Sequence, residues 1–150
     1  MGTINVVKSI KMVYPACMVL VKVGTFYDVY SKDAYIISYL LKYKIKEKEK
    51  IPTCSFPVSS LSKVENILEK NKINYIVVDK RNNYDEDQKV INKKENNYDK
   101  VFEKAKVSVE IMLRIQKIYD KLLQSRDDLQ INNKLEEIEK VLQDDKGRKI

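Results

Sequence analysis

Two near-continuous apolar runs, "CMVLVKV" at Cys17–Val23 and "INYIVVD" at Ile73–Asp79, constrain this chain most. Both are enriched in β-branched residues and lack clear polar alternation, the pattern of a strand covered on both faces. After the first run, Gly24 and Thr25 allow a tight turn, and "FYDVYS" has strand propensity, so a hairpin is the economical reading. Ser31 can cap a helix over about Lys32–Tyr43, with Asp33 in its first turn and Ile36, Ile37, Leu40 and Leu41 facing the sheet.

The segment "KYKIKEKEK" reads as a charged excursion, and "IPTCSFP" as a short strand closed at each end by proline. Ser60 then caps a second helix, "LSKVENILEKNK", with Leu61, Val64, Ile67 and Leu68 on one face. Strand, strand, helix, strand, helix, strand is the order of an α/β domain, here residues 1–80 with a small mixed sheet flanked by helices.

Residues 81–97 are polar with no sustained period and read as a linker or mobile loop. Their acids Asp85, Glu86 and Asp87 lack the glycine and spaced ligands of a calcium loop. From Tyr98 a long helical period begins, and Asn133 with Glu136 resembles a capping box before a shorter helix carrying Leu135, Ile138, Val141 and Leu142. Residues 98–150 therefore read as a helical hairpin. So apolar a face needs cover from its partner helix, the α/β domain or a second copy, which makes the hairpin a candidate oligomerisation element.

Composition removes most other functions. The chain has no histidine, which excludes serine and cysteine triads, zinc hydrolase sites and two-histidine iron sites. Its three glycines, Gly2, Gly24 and Gly147, cannot build a phosphate loop or a dinucleotide fingerprint. No catalytic residue, cofactor or metal is expected, and the chain reads as a non-enzyme. Cys17 and Cys54 lie far apart in apolar segments and read as buried, reduced thiols. The longest uncharged stretch, Met12–Val21, is too short to span a bilayer, and no signal peptide precedes it, so a cytoplasmic protein without a membrane partner is expected.

The net charge of +7 sits mainly in the first fifty residues, where nine Lys face four Asp and Glu. A positive field of that kind suits a polyanion such as nucleic acid; a lysine-rich solvated surface would give the same count.

The run from Tyr14 to Asp79 also carries an ordered set of short motifs: Pro15 before the first strand, Gly24, Phe26 and Tyr27 in the hairpin, Asp33 and Ala34 opening the helix, then Ile51, Pro52 and Pro57. This set resembles the N-terminal mismatch-recognition domain of MutS-type DNA mismatch repair proteins. The resemblance implies that Phe26 wedges into a duplex from the minor groove and stacks on a mispaired base. Asp28 stands where the family has a glutamate that hydrogen-bonds that base, one methylene shorter. Thr25 and Ser55 also depart from the family's usual aspartate and glycine. Lys22, Lys42 and Lys44 are phosphate-contact candidates by charge and placement. The clamp, lever and ATPase domains of the full-length proteins have no counterpart in the sequence. The implied partner is double-stranded DNA with a mismatch or distortion, bound by a stand-alone module without ATPase activity. The alternative is a non-catalytic interaction or scaffold protein that keeps the fold and no longer binds DNA.

Overall fold

The computed structural model describes residues 2–148 and contains a six-stranded mixed sheet flanked by helices. In chain order the elements are α1 (Thr3–Val13), β1 (Met18–Val23), β2 (Phe26–Tyr30), α2 (Lys32–Leu41), β3 (Lys46–Lys48), β4 (Ile51–Pro57), α3 (Leu61–Lys70), β5 (Tyr75–Asp79), β6 (Asp85–Val90), α4 (Tyr98–Gln124) and α5 (Ile131–Arg148). Two compact units divide the chain, residues 1–110 and residues 111–150.

Within the first unit the strand order is β3-β4-β2-β1-β5-β6. The two apolar runs become the adjacent central strands β1 and β5, paired in parallel from Met18 opposite Tyr75 to Lys22 opposite Asp79. All other pairs are antiparallel. Alternation along β1 divides the core. Met18 and Leu20 join a cluster with Ile36, Phe56, Val64, Tyr98 and Ala105, under α2, α3 and the first turns of α4. Val19 and Val21 join Val7, Tyr30, Ile76 and Val78 on the other face, under α1. Both faces of the central strands are thus buried, as their near-continuous apolar runs require.

Three elements differ from the sequence reading. Residues 81–97, expected to be a linker or mobile loop, contain β6, which pairs antiparallel with β5 at the sheet edge. An edge strand is held by backbone hydrogen bonds on one side only, so it can be as polar as "DEDQKV", and its charges protect the open edge. Beyond it, the loop is fastened by asparagines: Asn96 Nδ2 donates to the Ala16 carbonyl and the Asn92 N–H donates to Asn74 Oδ1. The charged excursion likewise hides β3, joined to β4 through Glu49 and Lys50, both at positive φ as a type I′ hairpin turn requires. The N-terminal helix α1, with Ile4, Val7 and Ile10 turned to the sheet, was absent from that reading.

The caps also differ. Neither Ser31 nor Ser60 makes a side-chain cap hydrogen bond. Asn133 and Glu136 lie inside α5, which starts at Ile131, and do not form a capping box at its start.

Candidate nucleic-acid interface

The β1–β2 hairpin presents its turn at one end of the sheet. Gly24 has φ of +65°, Thr25 is not in the positive-φ region, and this places glycine where a type II′ turn needs it. The Thr25 carbonyl accepts from the Val58 N–H at 3.0 Å, and Phe26 pairs with Val23 on one side and Pro57 on the other. The turn is therefore tied to β4 as well as to β1.

On this rigid tip, neighbouring side chains have opposite environments. Phe26 is 48% exposed, whereas Tyr27 and Asp28 are each 5% exposed. The pleat explains the division. Tyr27 faces the α2–α3 side and stacks on Phe56 with ring centroids 5.6 Å apart, and Phe56 stacks on Tyr43 at 5.7 Å. Burial pushes the Tyr27 phenol above its ordinary pKa. Phe26 and Asp28 share the α1 side, as strand alternation predicts, but Phe26 sits at the strand's open end while Asp28 lies deeper.

Asp28 is placed differently from the base-reading role that the resemblance implies. Its carboxylate accepts from Ser55 Oγ at 2.6 Å, Lys48 Nζ at 3.2 Å and Tyr30 Oη at 3.3 Å. Three protein donors on a 5% exposed carboxylate join β2 to β3 and β4 and leave little room for an external partner. Burial, with the Asp28 charge beside it, pushes the Tyr30 phenol upward and keeps it a donor. The shorter acid and the serine at position 55 thus form one internal contact.

Of the lysine candidates, Lys22 is half-buried, opposite Tyr27 in the hairpin and beside Asp79 in β5. Lys42 is exposed in left-handed conformation at the end of α2, with Nζ 5.7 Å from the Tyr39 ring centroid. Lys44 is exposed two residues later. Lys42 and Lys44 bracket Tyr43, so the aromatic stack running from Tyr27 through Phe56 ends between them. Lys63 of α3, which was not among the sequence candidates, places its ammonium 5.9 Å over the Tyr43 ring. No local pattern points to it, because Tyr43, in the connection after α2, and Lys63, in α3, are far apart along the chain. The cations and Phe26 are thus connected through the hairpin and its stack, with Phe26 on the opposite side of the sheet from Tyr27.

A cleft lies apart from the hairpin tip. About 590 Å³ in volume, it is lined by Val7, Lys8, Lys11, Ser31, Asp33 and Tyr98 among others. Among the described residues no cluster of acids or cysteines could hold a metal ion, and no helix is long and apolar enough to cross a membrane. Cys17 and Cys54 are free and buried, and burial pushes both thiols up to about 12.

No curated protein matches the chain. A family model described as MutS domain I matches residues 1–99, which extends the Tyr14–Asp79 likeness to α1, β6 and the start of α4. The chain belongs to the MutS domain I family of mismatch-recognition, DNA-binding modules.

Proposed function

We propose that residues 1–99 form a stand-alone, non-catalytic module that binds mismatched or otherwise deformable duplex DNA by inserting Phe26 into the base stack. One observation carries this reading. An aromatic ring, 48% exposed, projects from the hairpin tip next to Tyr27 and Asp28, which are each 5% exposed, with Asp28 hydrogen-bonded by Ser55. Opening a base step costs a few kcal/mol, less where pairing is already faulty, and stacking on an aromatic ring returns about 1 to 3 kcal/mol. The difference between faulty and intact steps is the source of selectivity. Lys22, Lys42, Lys44 and Lys63 supply sequence-independent attraction to phosphates, which falls steeply with salt. Asp28 holds the hairpin in shape and does not read the base. The reduced, buried thiols agree with a cytoplasmic setting.

Fluorescence anisotropy with labelled matched and mismatched duplexes tests this. Phe26→Ala is expected to lose about 5- to 100-fold in affinity for mismatched duplex and little for matched duplex. Equal affinity of both proteins for both duplexes would sink the wedge.

A further inference from the structure

In the second unit, residues 111–150, none of the described residues from Ile111 to Gln143 is buried. Helices of this length derive most of their stability from packing an apolar face. The apolar faces are present and regular. In α4, Ile111, Ile115, Ile118 and Leu122 repeat at alternating steps of four and three; in α5, Ile131, Leu135, Ile138 and Leu142 do the same. This is the seam of a helical bundle. Yet Ile111, Ile115 and Ile118 are 50%, 62% and 56% exposed, and Leu142 is 61% exposed.

Charge selects the partner. Residues 111–143 contain six Lys and Arg and six Asp and Glu, so this segment takes no part in the chain's excess of +7. A neutral surface neither attracts a polyanion nor repels a copy of itself. The balance is also uneven between the helices. Distal α4 has Arg114, Lys117 and Lys121 against Asp120, whereas α5 has Glu136, Glu137, Glu139, Asp144 and Asp145 against Lys134, Lys140, Lys146 and Arg148. A twofold arrangement setting α4 of one chain beside α5 of the other covers both seams and pairs basic with acidic helix twice.

We infer that the distal half of α4 and α5 dock on the same segment of a second copy, completing a four-helix bundle that makes the protein a dimer. The inference is independent of DNA binding, and either can fail without the other. Its consequence is a bivalent protein, since each chain brings one Phe26 hairpin.

Light scattering coupled to size exclusion across about 1 to 100 μM tests it. The wild type is expected at twice the chain mass of 17.6 kDa and Ile115→Asp at the single-chain mass. A wild-type monomer at every concentration, or a dimeric Ile115→Asp, would overturn the proposal. Reversing Arg114, Lys117 and Lys121 to Glu is expected to dissociate the dimer, and adding the reversal of Glu136, Glu137 and Glu139 to Lys to restore it. Failure of the second step would overturn the α4–α5 pairing. Should a variant not fold, the wild type alone is decisive: its helical melting midpoint rises with protein concentration if the bundle is intermolecular, and a concentration-independent midpoint contradicts the dimer.

Discussion

The hydroxyl of Tyr98 donates to Oδ1 of Asp33, joining the first turn of α4 to the start of α2. Asp33 is fully buried, and the same oxygen also accepts from Lys11 Nζ at 2.7 Å while Oδ2 accepts from the Val19 N–H at 3.0 Å. One carboxylate thus gathers α1, β1, α2 and α4. Burial, with the Asp33 charge next to it, pushes the Tyr98 phenol well above its ordinary pKa.

Tyr98→Phe removes two charge-assisted hydrogen bonds, the one donated to Asp33 and the one accepted from Lys11 Nζ at 3.1 Å, and keeps the ring. It is expected to cost about 1.5 to 3 kcal/mol of unfolding free energy, measured by denaturant titration with far-ultraviolet circular dichroism. Asp33→Asn is expected to cost more, because it leaves the half-buried Lys11 ammonium without the carboxylate that balances its charge. A Tyr98→Phe protein as stable as the wild type would show that the contact does not fasten α4 to the domain.

Asp28 separates a structural residue from a reading residue. Asp28→Asn removes the charge accepting from Lys48 and Ser55, and is expected to lower stability by about 1 to 3 kcal/mol. At a temperature where the variant is fully folded, its preference for mismatched over matched duplex is expected to equal that of the wild type. Loss of that preference without loss of stability would return Asp28 to the base-reading role.

The buried thiols set an alkaline limit. Cys17 and Cys54 have pKa values raised from 9.0 to about 12 by burial, so the unfolded chain releases their protons at lower pH than the folded one. Their contribution is complete below pH 9 and is lost as pH rises from 9 toward 12. The melting midpoint is accordingly expected to be level through neutral pH and to fall over that interval. In Cys54→Ala the fall should be shallower, although the variant is less stable at neutral pH because it leaves a cavity. A midpoint unchanged up to pH 11 would contradict buried, neutral thiols.

How much of this was legible in the sequence depended on what holds each element. The strands β1, β2, β4 and β5 and the helices α2, α3 and α4 are held by apolar side chains, and their periods disclose them. The edge strands β3 and β6 are held by backbone hydrogen bonds that any side chain permits, so "KEK" and "DEDQKV" gave no signal. The spacing of Ile4, Val7 and Ile10 did carry the period of α1. At the candidate site, alternation placed Phe26 and Asp28 on one face, but their difference in exposure came from distant residues. Ser55 and Lys48, which occupy Asp28, lie on other strands, and only the folded sheet brings them to it. Asp33 was read only as an acid in the first turn of α2 for the same reason: Lys11 and Tyr98 are far from it along the chain.

The chain contains no tryptophan, so Phe26→Trp places a single indole reporter at the hairpin tip. Its emission, titrated with mismatched and matched duplexes at equal salt, tests insertion most directly. Stacking on a base is expected to quench the indole strongly with mismatched duplex and weakly with matched duplex. Emission that stays unchanged while anisotropy reports a bound mismatched duplex would contradict insertion of this residue.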